Sequence, residues 1–219
     1  MAPLVRAMAP RTQARVLTYG LADDADVRAT DVVLDDELRA SFTLHSPWGT
    51  TDVALQARGE HQVPNALAAA AAGCGLGVPI ESLAAGLSDA ALSGLRMEMS
   101  TTAAGVTVIN DAYNANPTSM AAGLSSLARL AARRRFAVVG TMAELGADAP
   151  AAHRAVAQQA VDLGIAVIAV DEPAYGEHAT HVSGVDEAVA ALGALSEGDA
   201  VLVKGSRVAE LERVAQALA

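Results

Sequence analysis

Four stretches of the chain gather polar or charged side chains where chemistry could sit. The densest is Asn110-Asp111-Ala112-Tyr113-Asn114-Ala115-Asn116-Pro117, which follows Val106-Thr107-Val108-Ile109. If that run is a strand, Asp111 projects from the carboxyl edge of its sheet. Asn114 or Asn116 then caps the next helix, whose N-terminal amides favour an anion. Capping accounts for Asn116 as readily as ligand binding does. Four hydrogen-bonding side chains plus Tyr113 exceed what a cap needs, so the loop reads as a binding site.

The second stretch is Val201-Leu202-Val203-Lys204-Gly205-Ser206-Arg207. Fourteen of the fifteen basic residues are arginine, and Lys204 is the lone lysine. A chain that uses arginine nearly everywhere keeps one compact, mobile ammonium here, which points to a specific contact. Ser206 is placed to cap the last helix. Lys204, Arg207 and a helix N-terminus would then converge where an anion is welcome, the plainer alternative being a solvated loop. The same count excludes a phosphate-binding loop of the G-x-x-x-x-G-K-[ST] type, because Lys204 is followed by Gly205. Any ATP chemistry would need such a loop from elsewhere.

The third stretch, Gly59-Glu60-His61-Gln62-Val63-Pro64-Asn65, opens an alanine-rich helix and puts His61 and Asn65 on one face. By itself it is weak, since a histidine at a helix entry is more often structural. The fourth, Gly140-Thr141-Met142-Ala143-Glu144-Leu145-Gly146, lacks the glycine spacing of a dinucleotide fingerprint. Other patterns are discounted. Gly73-Cys74-Gly75-Leu76-Gly77 ends a helix rather than following a strand, and Cys74 reads as core packing. His178 and His181 lack a third metal ligand. Arg133-Arg134-Arg135 suits a helix end and is no nucleic-acid patch.

The elements that must position these loops follow from periodicity. The first part reads as a short helix, then strands over 15–19, 27–34, 41–45 and 52–56, then helices over 61–76 and 80–87. Periodicity weakens over 88–94, and a domain boundary is expected there, with domains 1–93 and 94–219. Beyond it strands at 106–110, 136–139, 165–170 and 200–203 alternate with helices at 117–132, 150–163, 185–195 and 206–218. This is an α/β pattern: a Rossmann-like, mostly parallel sheet with helices on both faces and ligands at the carboxyl ends of its strands.

Composition narrows the class. The 219 residues are 52% hydrophobic but 3% aromatic, and the formal net charge is −10. That balance argues against a nucleic-acid or membrane-surface binder. One cysteine excludes an internal disulfide. No run of 18 apolar residues occurs, and the first residues lack the pattern of a signal peptide, so a cytoplasmic protein without membrane insertion is expected.

Taken together, the loops resemble the Mur ligase family. Gly59–Ala70 is similar to its G-x-H-N-x-x-N-A-L-A-A-A segment. Asp111–Met120 is similar to D-x-Y-N-A-N-P-x-S-M, Gly140–Gly146 to G-[DE]-M-x-E-L-G with His153 downstream, and Lys204–Arg207 to K-G-S-R. The first of these three and the last are particular to members that add D-alanyl-D-alanine to UDP-N-acetylmuramoyl-tripeptide. The resemblance implies that 1–93 is the end of a central ATPase domain and 94–219 a complete C-terminal domain. It implies an ATP-dependent ligase of peptidoglycan precursor synthesis, acting through an acyl phosphate with ATP and Mg²⁺. The phosphate loop and Mg²⁺ ligands would lie in the half not present, which agrees with the lysine count, and the chain alone would be inactive.

By the same resemblance His61 and Asn65 face the adenine, Asp111 the ribose, and Arg96 the phosphates. Tyr113, Asn114, Asn116, Lys204, Ser206 and Arg207 line the face that presents the dipeptide, and Arg96 and Lys204 carry the catalytic role. A monomer is expected. Gln62 and Thr141 depart from the family pattern, and Arg96 sits in Gly-Leu-Arg rather than Gly-Arg. The alternatives are a sister Mur or folylpolyglutamate-type ligase, or a non-catalytic Rossmann-like binding module.

Overall fold

The computed structural model describes residues 3–90 and 94–219. The boundary expected at residue 93 lies outside the described residues. The chain divides into two compact units, Met1–Ala91 and Leu92–Ala219.

The first unit contains α1 (Pro3–Arg6), β1 (Tyr19–Gly20), β2 (Val27–Leu34), β3 (Arg39–Ser46), β4 (Gly49–Arg58), α2 (Gln62–Gly75) and α3 (Ile80–Asp89). Its strands form one sheet in the order β1-β2-β3-β4, antiparallel except for the short β1–β2 pair. Alternation buries Ala40, Phe42 and Leu44 of β3 with Val53 and Leu55 of β4. This face packs on Val63, Leu67 and Ala70 of α2 and on Ile80 of α3. The strand expected over 15–19 forms only at Tyr19–Gly20. Thr18 gives its backbone amide to the Asp26 carboxylate at 2.8 Å instead of to a ladder partner.

The second unit contains β5 (Glu98–Thr101), β6 (Thr107–Asp111), α4 (Pro117–Arg129), β7 (Arg134–Val139), α5 (Ala149–Asp162), β8 (Ala166–Val170), β9 (Ala179–Val182), α6 (Val185–Leu192), β10 (Asp199–Lys204) and α7 (Glu212–Leu218). The sheet order is β5-β6-β10-β7-β8-β9, parallel throughout except for β5. Helices α6 and α7 cover the face carrying Val108, Val138, Ile168 and Val203, and α4 and α5 the opposite face. The expected α/β class and mostly parallel sheet are borne out.

β10 is the central strand, inserted last between β6 and β7, and all six of its residues are buried. Its interior is apolar, and each end carries one charge. Asp199 lies at the amino edge and Lys204 at the carboxyl edge. β5 and β9 were not expected from the sequence. The helix expected over 206–218 is broken, because Glu210 is left-handed (φ 49°) and separates a 3₁₀ turn at Arg207–Ala209 from α7. Among the described residues, no helix is long and apolar enough to cross a membrane.

Candidate functional site

At the carboxyl edge of the second sheet the ends of β6, β10 and β7 lie side by side. Asp111 and Lys204 are register partners on adjacent parallel strands, so their side chains leave the sheet on the same face. Lys204 Nζ donates to Asp111 Oδ2 at 2.6 Å and to the Asn114 carbonyl at 2.9 Å. The lysine side chain is 2% exposed and the aspartate 13%. Asp111 Oδ1 accepts the Met97 amide at 3.2 Å, and Tyr113 N donates to the Leu95 carbonyl at 3.2 Å. The Arg96 guanidinium lies 4.4 Å above the Tyr113 ring, a cation–π contact at an exposed position.

The loop from Asp111 to Pro117 keeps Ala112 and Ala115 buried and turns Tyr113, Asn114 and Asn116 outward. Asn114 Oδ1 accepts the Ala115 amide at 2.8 Å. Asn116 caps α4, accepting the Ser119 amide at 2.9 Å while the Ser119 hydroxyl receives the Asn116 amide at 3.1 Å. This reciprocal capping box fixes where the loop ends.

The neighbouring loop at Gly140–Gly146 is tied down on three sides. Gly140 N donates to the Lys204 carbonyl, and Ser206 N to the Thr141 carbonyl, both at 3.0 Å. The Ser206 hydroxyl accepts the Ala143 amide at 3.0 Å. Gly140 and Gly205 permit this approach, since a Cβ on Gly205 would lie 3.0 Å from Leu211 and 3.4 Å from the Gly140 backbone. From α5, the fully buried His153 accepts the Met142 amide on Nε2 at 2.9 Å and lies 2.7 Å through Nδ1 from the Ala149 carbonyl. A Glu172 carboxylate oxygen lies 3.6 Å from the same Nε2. Tyr175 packs edge-on against His153 and donates its hydroxyl to the Gly140 carbonyl at 2.8 Å. Burial first, then the nearby Glu172 carboxylate, push the Tyr175 hydroxyl well above its ordinary pKa, so it remains a donor.

Residues 95–207, just over half the chain, match the Mur ligase, glutamate ligase domain. The chain belongs to the Mur ligase family. Residues 1–73 match the Mur ligase middle domain. A curated relative, the UDP-N-acetylmuramoyl-tripeptide–D-alanyl-D-alanine ligase of Mycobacterium tuberculosis, is 43% identical over 99% of this chain and 49% of its own length. The Escherichia coli K12 protein of the same name is 34% identical over 90% of this chain and 45% of its own. Among solved structures, MurF from Acinetobacter baumannii superposes with a TM-score of 0.86 at 30% identity, covering 99% of this chain and 49% of that one. The chain spans about half the length of the curated relatives it matches.

In this Mur ligase chain the second unit brings Arg96, Asp111, Tyr113, Asn114 and Lys204 into one cluster, with Asn116 and Ser206 adjoining. Arg207 is exposed and pairs with Glu212 at 3.1 Å. His61 and Asn65 belong to the first unit, where Gln62 links them: its amide nitrogen lies 3.1 Å from His61 Nε2, and its oxygen accepts Asn65 Nδ2 at 2.9 Å. Lys204 is buried, and its ammonium is bonded to Asp111 Oδ2 and to the Asn114 carbonyl. One expectation needs correction. Ser206 does not cap a helix with its side chain; its hydroxyl holds Ala143. Gln62, Met97 and Tyr175 join the site without being among its expected residues. Gln62 carried a signal, being a polar residue among buried helix positions; Met97 and Tyr175 carried none.

Proposed function

We propose that this chain works as the carboxyl-terminal part of an ATP-dependent ligase that adds D-alanyl-D-alanine to UDP-N-acetylmuramoyl-tripeptide. The observation that carries the proposal is the carboxyl-edge cluster of Arg96, Asp111, Tyr113 and Asn114, built on the loop that matches the D-alanyl-D-alanine-adding branch. The named relatives support it. On this reading 1–93 ends a central ATPase domain and 94–219 is the C-terminal domain. ATP activates the tripeptide carboxylate as an acyl phosphate, and the dipeptide amine attacks it to release ADP and phosphate.

What these residues contribute is charge and position. Arg96 offers an exposed guanidinium to phosphate oxygens, which planar N–H donors suit. The exposed Tyr113, Asn114 and Asn116 offer polar contacts to a dipeptide amide or carboxylate, and Asp111 presents the edge of a carboxylate to a nucleotide ribose. His61 and Asn65, oriented by Gln62, stand for the adenine side. Holding both anionic reactants in line is the larger part of such catalysis. Among the described residues no group of three His, Cys, Asp or Glu converges. On this reading the ligands of Mg²⁺ and the triphosphate loop belong to another part of the ligase.

The purified 219-residue chain is expected to release no phosphate from ATP when given the tripeptide and dipeptide, whereas the complete ligase releases it on addition of both. A coupled phosphate assay decides this. Turnover by the isolated chain, or dipeptide-independent release by the complete ligase, would overturn the proposal.

A further inference from the structure

We infer that Lys204 is a positioning residue: it meets no ligand, and its buried ammonium aims Arg96 by fixing Asp111. Leu95 and Met97 have φ of 61° and 51°, left-handed values that side chains other than glycine rarely adopt. They flank Arg96 in a run of bends over 94–97, and Arg96 is exposed. Backbone held in so sparse a region persists only where its surroundings over-determine it. Here the restraints are visible on both sides of Arg96. The Met97 amide is bound by Asp111 Oδ1, the Leu95 carbonyl accepts the Tyr113 amide, and the Arg96 guanidinium rests on the Tyr113 ring.

All of these restraints come from the last residue of β6 and the loop after it, and Lys204 contacts both. One ammonium grips this segment twice, at the Asp111 carboxylate and at the Asn114 carbonyl three residues on. It compensates the carboxylate that holds the Met97 amide. The path therefore runs from Lys204 to Asp111, from Asp111 to the Met97 backbone, and from there to Arg96.

The geometry also explains why the lone lysine is kept. Its stem runs under α4 at Gly123, where an added Cβ would come within 3.2 Å of Lys204 Cδ. A slender stem ending in a compact head fits beneath that glycine and still reaches two acceptors. A planar guanidinium is broader and fixed in its fork.

The inference rests on the proposed ligase reading only for what Arg96 faces; the positioning itself is testable on the chain alone. Lys204→Met keeps the stem and removes the charge. Hydrogen exchange of the 219-residue chain should show the Met97 and Tyr113 amides accelerated about tenfold more than the β10 amides of Val201 and Leu202, which report the overall loss of stability. Acceleration at Met97 no greater than at Val201 and Leu202 would overturn the inference.

In the complete ligase Lys204→Met should lower kcat about a hundredfold while KM for the dipeptide moves less than about threefold. On an Arg96→Ala background the same substitution should cost much less than it does in the wild type, because most of its effect passes through Arg96. Fully additive losses would mean that Lys204 does not act through Arg96, against the inference. If the complete ligase proves inactive with the dipeptide, the functional reading fails while the exchange result stands.

A third measurement needs no variant. Because the chain has one lysine, an amine-acylating reagent should add a single group to the folded protein, at the terminal amine, and two groups once the protein is denatured. Two rapid additions to the folded chain would expose Lys204 and refute the inference.

Discussion

Asp111→Ala is expected to destabilise the second unit by about 3–5 kcal/mol, the usual cost of removing one partner of a buried ion pair. The size follows from what remains. Lys204, 2% exposed, would be left with the Asn114 carbonyl as its remaining partner, and the Met97 amide would lose its acceptor. Adding Lys204→Met should restore more than half of the loss, because the uncompensated charge is then gone. The double variant would fold well yet leave Arg96 unsupported. Circular dichroism during urea unfolding can follow this, with amide exchange to assign the transition. Tryptophan fluorescence cannot, since the single tryptophan, Trp48, lies in the first unit. A double variant no more stable than Asp111→Ala would show that the lysine charge is not buried.

The opposite end of β10 supports the second large effect. Asp199 is fully buried and accepts Arg134 Nε at 3.1 Å, an Arg134 terminal nitrogen at 2.5 Å and the Ser196 amide at 2.9 Å, with Arg133 alongside. The Arg134 hydrogen bond, with help from Ser196 and Arg133, holds its carboxyl well below the ordinary carboxylate range against the effect of burial. Asp199→Asn should lower Tm by on the order of 10 °C.

The pH dependence has a definite sign. A depressed folded-state pKa contributes stability that is complete above the unfolded pKa of about 4 and is lost as pH falls through the folded value. The Tm gap between wild type and Asp199→Asn should therefore be flat from about pH 5 to 8 and close only in strong acid. Scanning calorimetry across that range measures it. A gap that opens as pH falls would contradict the assignment.

Much of this architecture was legible because it rests on local signals. β6, β7, β8 and β10 are apolar runs, Pro117 and Asn116 announce α4, and the alanine-rich stretch announces α2. β5 and β9 are four-residue strands at the sheet edges with no buried residue, so they show no apolar face to read. The last helix was read as continuous because its apolar spacing carries on through the left-handed Glu210. That turn lets Leu211 pack against Gly140 and Gly205, a contact no local pattern announces.

The site divides in the same way. Asp111, Tyr113 and Asn116 stand out as polar residues behind an apolar strand. That Lys204 is buried depends on Asp111, 93 positions away, so its loop looked like an exposed anion site. Ser206 was expected at a helix cap because its partner, Ala143, lies 63 positions earlier. Tyr175 is invisible for the same reason: its hydroxyl meets a carbonyl on another strand's loop, 35 residues before it.

The central claim, that these residues serve a ligase choosing D-alanyl-D-alanine, is tested most directly by the choice of amine. The complete ligase, supplied with ATP and UDP-N-acetylmuramoyl-tripeptide, should form product with D-alanyl-D-alanine and essentially none with meso-diaminopimelate or lysine, as read by product mass. Efficient coupling of either amino acid in place of the dipeptide would contradict the account.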